Sequence, residues 1–286
     1  MMREFPYVYR VGDPSPCDSP WGEAGRTVAF SLVSLFSKAV LNGLNTTTCT
    51  ARLQRAGRSD GSPHAQGCDA FAQAVMGREA GRPLITVSNH ASTFDDPGLL
   101  SVMLPWSFYT SEWRHQKVRW ALCANDICHS RPFISAFFLA GKTLPIVRGA
   151  GREQPIMAVV EERLRRHGDW LHVFPEGRVR QDGQMNPLKT GLAQILCGVA
   201  DAQPIVLPFH HRGMEDVMRI PSKRPATGKH VHVLVGEPVQ LADLLQRCKQ
   251  KGVDQKKLSA LMMGRVAASL DALAQAQTAL SEAGQS

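Results

Sequence analysis

Pro83-Leu84-Ile85-Thr86-Val87-Ser88-Asn89-His90-Ala91-Ser92-Thr93-Phe94-Asp95-Asp96-Pro97 starts as a strand and ends as a helix. Its first six residues form an apolar, β-branched run of the kind that fills a strand buried on both faces. Its last residues put a proline where the first turn of a helix tolerates one, with Asp95 or Asp96 near the N-cap. His90 therefore sits at a strand end and Asp95 at a helix start. Functional side chains often stand where a buried strand gives way to a loop.

Working outward, further strands are expected at Ser107–Thr110, Thr143–Val147, Trp170–Phe174, Pro204–Phe209 and Val231–Val235. Helices are expected near Gln116–Cys123, Ile134–Ala140, Pro155–His167 and Thr190–Ala200, with a shorter one around Ala70–Met76. Strands alternating with helices of this length predict a single α/β domain, residues 83–286, with a central mixed sheet flanked by helices. Apolar residues at helical spacing between Asp254 and Ser281 predict a helix that packs back on this body. Residues 1–82 read as a separate N-terminal region, and 46–82, rich in Thr, Ser, Gly and Arg, as a surface connection.

Within that region, Val28–Leu44 (VAFSLVSLFSKAVLNGL) is apolar except for a narrow stripe of Ser31, Ser34, Ser37, Lys38, Asn42 and Asn45. It falls short of the ~20 apolar residues that span a bilayer comfortably. A helix over about 28–45 with a wide apolar face suits the membrane interface or a re-entrant turn; a core helix of the domain would share the pattern.

Of the 286 residues, 43% are hydrophobic and 20% charged, which are the values of an ordinary folded chain and not of a disordered one. A net charge of +8 favours an anionic partner, an acidic lipid surface or a nucleic acid; charge is all that speaks for the latter. Seven scattered cysteines without a CxxC pair read as reduced, mostly buried thiols. The first twenty residues have no apolar core for a secretory leader, and their acidic residues argue against an Arg-rich transit peptide.

An HxxxxD pair by itself is a weak signal, since a buried histidine beside a capping aspartate has the same spacing. Folded back across a tight turn, however, the Asp95 carboxylate fixes the tautomer of His90 and leaves its other nitrogen to take a proton from a hydroxyl. Further blocks sharpen the reading. His172-Val173-Phe174-Pro175-Glu176-Gly177-Arg178 ends a strand in a sharp turn whose Glu176 and Arg178 suit a polar head group, the arginine by bidentate contact to phosphate. Gly141–Gly149 sets Arg148 just past another strand, and Pro204-Ile205-Val206-Leu207-Pro208 is an apolar strand between prolines.

In this order the four blocks resemble those of the glycerolipid acyltransferase superfamily. The likeness extends to its tafazzin group through PLITVSNHxSxxDDP (83–97), RWxxxxxDIC (119–128), GKxxPxxRGAG (141–151), HGDWxHxFPEGxV (167–179) and PIxLPxxHxGMxDV (204–217). The resemblance implies acyl exchange between phospholipids and lysophospholipids without coenzyme A or another cofactor. Monolysocardiolipin and cardiolipin are its characteristic pair, with phosphatidylcholine as a donor. It implies a mitochondrial membrane facing the intermembrane space. It also implies His90 and Asp95 as the catalytic pair, with Arg148, Glu176, Gly177 and Arg178 on the head-group side. Other readings are a CoA-dependent lysophosphatidate or glycerol-3-phosphate acyltransferase and a non-catalytic lipid-binding protein. His210, His211, His230 and His232 lack carboxylates at a ligand spacing and read as surface or head-group residues, with no metal.

Overall fold

The structure, a computed structural model, describes residues 21–51, 66–110, 117–151, 154–222 and 224–283. The first twenty residues lie outside that set, as does Gln116 at the start of the expected 116–123 helix.

Among the described residues one sheet is built from β1 (Thr46–Ala51), β2 (Leu84–Val87), β3 (Trp120–Ala124), β4 (Thr143–Ile146), β5 (Trp170–Val173), β6 (Ile205–Arg212) and β7 (His230–Val235). Their spatial order is β1-β7-β6-β2-β5-β3-β4. β6 and β7 run antiparallel and the other neighbours run parallel, so the sheet is mixed. The helices are α1 (Gly22–Lys38), α2 (Gln66–Met76), α3 (Asp95–Val102), α4 (Ser107–Thr110), α5 (Asn125–Cys128), α6 (Pro132–Ala140), α7 (Pro155–His167), α8 (Gly191–Gly198), α9 (Met214–Val217), α10 (Ala242–Arg247) and α11 (Gln255–Ala283).

Every residue of β2 is buried, because both faces of the sheet are covered. Ile85 and Val87 join a core with Leu171, Val206 and the apolar sides of α7, α8, α10 and α11. Leu84 joins the opposite core with Trp170, Leu207 and Phe209, under α1, α2 and α3. Each such side chain contributes about 1.5–3 kcal/mol by burial, so the continuous apolar run fixes β2 at the centre of the sheet. The C-terminal ends of β2, β3, β4, β5 and β6 then lie along one edge, where α/β folds place their ligands.

Four expectations are corrected. Ser107–Thr110 is one helical turn. Trp120–Ala124, overlapping the expected 116–123 helix, is a strand paired with β4 and β5; two flanking ladders outweigh the helix propensity of its Ala and Leu. Thr46–Ala51, expected in a surface connection, is the edge strand β1, paired with β7 from Thr46↔His230 to Ala51↔Val235. Finally, the thiols are not all reduced: Cys123 is bonded to Cys128 and Cys197 to Cys248, while Cys49 and Cys68 are free.

α1 continues through a π-helical turn, and Gly22–Gly43 is long and apolar enough by length and composition to cross a membrane. Its packing is inverted relative to a soluble amphipathic helix. Ser34 and Ser37 face the protein and are buried, and Lys38 Nζ donates to the Leu104 carbonyl at 2.8 Å. Val28, Leu32, Leu35 and Phe36 point outward, Leu32 being 61% exposed. Trp21 meets Phe133 and Phe137 of α6, which carry the apolar surface onward.

Candidate active site

At the end of β2 the chain leaves the sheet, and Asn89 compensates. Its side-chain amide donates to the His211 carbonyl at 2.9 Å and accepts from the His211 N–H at 3.0 Å. The amide continues the β2–β6 ladder in place of a peptide group, which frees the backbone to turn and present His90.

Asp95 closes the turn. Its Oδ2 accepts from the backbone N–H groups of Ala91 and Ser92, both at 2.8 Å, and lies 3.0 Å from His90 Nδ1. Oδ1 meets no partner among the described residues. Because Oδ2 can only accept, His90 carries a hydrogen on Nδ1, and the lone pair of its Nε2 is left for chemistry. The Asp95 side chain is 1% exposed and that of His90 18%, so the pair is dry on one side and open on the other. Asp96 has an extended backbone (φ −118°, ψ 117°), and the regular turns of α3 begin at Pro97. Its carboxylate pairs with buried Arg119, which also donates to the Gly141 carbonyl at 2.9 Å. The two neighbouring aspartates thus divide the work: Asp95 holds the imidazole, and Asp96 anchors the helix to the β3–β4 side.

Beyond β5, Phe174 stacks on the His90 ring, and its edge contacts buried His172. Burial pushes His172 well below the ordinary histidine range; its Nδ1 lies 2.9 Å from Thr86 Oγ1, which also accepts from Trp170 Nε1. Glu176 is buried, and both its oxygens are engaged. Oε1 accepts the His90 N–H at 2.9 Å, and Oε2 accepts the backbone and side-chain N–H of Asn186 at 2.6 and 2.9 Å. Arg178 Nε donates to Asn186 Oδ1 at 3.2 Å. Gly177 takes φ +68°, and the Lys189 side chain lies across it so closely that a Cβ would stand 2.9 Å from Nζ.

His90, Gly177, Arg178, Lys189 and Arg148 all line one groove of about 1020 Å³, whose walls are largely apolar side chains of α1, α3, α6 and α8. Arg148 is exposed at the rim and lies 3.5 Å from Asp126. The structure therefore brings His90 and Asp95 together, joins them through Glu176 to the Gly177–Arg178 turn, and sets Arg148 on the same groove. Phe174, Asn186, Lys189 and Asn89 were not expected at the site from sequence. His210 and His211, expected at the surface or on the head-group side, are buried: His210 Nδ1 faces Gln277 of α11, and burial holds its pKa at about 4. Among the described residues no three His, Cys, Asp or Glu side chains gather to hold a metal ion.

A histidine–aspartate pair at the end of a central parallel strand, over an apolar groove with a cationic rim, is an arrangement suited to acyl chemistry on lipids. The chain belongs to the acyltransferase family, which it matches over residues 69–232. Within that family it is similar to tafazzins. It is 35% identical over 239 residues to a tafazzin of Drosophila melanogaster, a match covering 82% of this chain and 57% of the fly protein's length. It is 37% identical to an N-acylphosphatidylethanolamine synthase of Arabidopsis thaliana, over 77% of this chain and 72% of the plant protein. In fold it is similar to the crystal structure of the 1-acyl-sn-glycerophosphate acyltransferase PlsC from Thermotoga maritima, with a TM-score of 0.50 and 16% identity over 89% of this chain and 82% of that one.

Proposed function

We propose that this chain transfers acyl chains between phospholipids and lysophospholipids without coenzyme A, with monolysocardiolipin and cardiolipin as its acceptor and product. The observation that carries this reading is the His90 Nδ1–Asp95 Oδ2 contact at the wall of the apolar groove. His90 Nε2 takes the proton of the lysolipid hydroxyl, and the alkoxide attacks the ester carbonyl of a donor lipid. The tetrahedral adduct collapses, and the imidazolium returns its proton to the departing lysolipid oxygen. Asp95 stabilises the imidazolium between the two transfers. The Ala91 and Ser92 amides are spent on Asp95, so they are not the donors that meet the oxyanion. Arg148 and Arg178 take head-group phosphates at the rim, and Gly177 and Glu176 shape that rim from beneath.

The outward apolar face of α1 supports a lipid surface as the working environment. Together with the neighbouring face of α6 it merges with the groove, since exposed Phe36 of α1 and Phe137 of α6 also line it, so an acyl chain can pass from bilayer to site without crossing water. Likeness to tafazzins favours a mitochondrial membrane facing the intermembrane space, and two bonded cysteine pairs suit an oxidising compartment. The likeness to the plant synthase favours a second acceptor class, the amine of phosphatidylethanolamine.

Purified protein in liposomes of phosphatidylcholine and monolysocardiolipin, without CoA, should form cardiolipin by mass spectrometry, and His90→Ala should not. Product only on adding acyl-CoA would replace this reading with the CoA-dependent one. N-acylated product from phosphatidylethanolamine alone would select the amine acceptor. Acyl transfer by neither route, with lipid still bound, would leave a binding protein.

A further inference from the structure

We infer that His211 is a positioning residue that holds the His90–Asp95 pair in register from behind; this rests on the proposed role of His90. Three observations meet at this side chain. It is 0% exposed, on β6, beneath the loop that carries His90. Its Nε2 lies 3.1 Å from the Asn89 carbonyl and 3.6 Å from Asp95 Oδ2. Its backbone N–H and C=O are both taken by the Asn89 side chain.

Nε2 faces only acceptors, a carbonyl and a carboxylate, so it carries a hydrogen. Nδ1 is buried with no partner among the described residues, and no hydrogen bond turns the ring the other way. The single N–H is thus aimed at the peptide oxygen immediately before His90 and at the same carboxylate oxygen that holds the His90 ring. That donor holds the Asn89 carbonyl and stands just beyond hydrogen-bond distance of Asp95 Oδ2. The Asn89 clasp fixes where β6 stands relative to that turn, and the imidazole fixes the peptide that leads into His90, with its N–H directly behind Asp95 Oδ2. Among the described residues the donors to that oxygen are His90 Nδ1 and the amides of Ala91 and Ser92, so the His211 ring backs the pair without sharing in its hydrogen bonds. Without the His211 N–H, the Asn89 carbonyl loses one of its donors, and the peptide that carries His90 shifts off line. His211 does not touch substrate, so its loss should act on turnover and leave binding alone.

The test is transacylase kinetics of His211→Leu, His211→Asn and His211→Gln beside His90→Ala and the double variant His90→Ala/His211→Leu. The Gln amide reaches the place of Nε2, the Asn amide stops short of it, and Leu has no donor. Leu and Asn should each lower kcat about 10- to 100-fold with KM within about twofold, the cost of misplacing a base by a fraction of an ångström. Gln should recover to within about fivefold of wild type. His211→Leu should add no further loss in the His90→Ala background. If Leu does not fold, the Gln–Asn contrast decides alone. Equal loss in Gln and Asn, loss that follows the unfolding midpoint, or a KM effect without a kcat effect would overturn the inference. A fully active His90→Ala would instead sink the general-base reading, whatever the His211 variants do.

Discussion

The His90 imidazole lies flat on the Phe174 ring, centroids 3.8 Å apart and planes 11° from parallel. Asp95 fixes the imidazole along one direction, through Nδ1, and leaves rotation about that contact free; the stacked ring removes it. Phe174→Leu should keep the bulk and lose the stack, lowering kcat about 3- to 10-fold, in line with the ~0.5–1.5 kcal/mol of an aromatic pair. Phe174→Tyr should retain most of the rate. Steady-state kinetics on the two variants checks both.

Glu176 joins the two signature turns, because its carboxylate accepts the amide of His90 on one side and two N–H groups of Asn186 on the other. In Glu176→Gln the new NH₂ must face one of those donors. A cost of about 1–3 kcal/mol is expected from the buried mismatch. It should be read as a lower unfolding midpoint together with loss of turnover. An unchanged midpoint with unchanged activity would remove Glu176 from the machinery.

Gly177→Ala adds a Cβ at φ +68° and drives it against the Lys189 side chain. The left-handed backbone alone costs about 1–2 kcal/mol for an L-residue. The displaced Lys189 is expected to raise KM for an anionic acceptor. Trimming the obstacle in Gly177→Ala/Lys189→Ala should recover stability in part but not the KM, a contrast that thermal unfolding and kinetics together resolve.

Burial keeps His210 at about 4 and His172 well below its usual value, so in the folded chain both stay uncharged in mild acid. Between pH 6.5 and 4 the unfolded chain takes up protons that these rings refuse, so stability present in full above 6.5 is lost as pH falls through that window. His210 contributes a slope of at most about 1.4 kcal/mol per pH unit there, and His172 acts in the same direction. Unfolding midpoints in urea at pH 7 and pH 5 should show the decline, and His210→Gln should flatten it by up to one proton.

Leu32 and Phe133 belong to the outward apolar surface of α1 and α6. Leu32→Glu/Phe133→Glu should leave the unfolding free energy within about 0.5 kcal/mol of wild type, as surface changes do. Flotation with liposomes should fall sharply for this variant. Undiminished flotation would move the lipid contact elsewhere.

Sequence made β2, β4, β5, β6 and β7 legible, most clearly β2, β5 and β6, whose apolar runs are forced by burial on both faces. β1 (TTTCTA) escaped because an edge strand with a single parallel neighbour has only Cys49 fully buried, and its threonines read as loop. β3 escaped because its pairing with β4 and β5, not its residues, makes it a strand. At the site, the His90–Asp95 contact is local and was visible in the spacing. The contacts of Glu176 with His90 and of His211 with Asn89 span 86 and 122 residues. No local pattern carries such partners. For α1 the periodicity was plain, but which face turns inward depends on what covers it.

The pairing of β1 with β7 also sets an order in time. Thr48 meets Val231, a residue translated 183 positions later. At ribosomal speeds of about 5–20 residues per second, β1 waits on the order of ten to forty seconds for its neighbour. During that interval the oily helix immediately before it has no finished sheet to brace it, and a nearby bilayer is the first apolar phase it can meet. Insertion can thus precede the closing of the sheet, so that the last strand completes the fold around a helix already at rest in lipid.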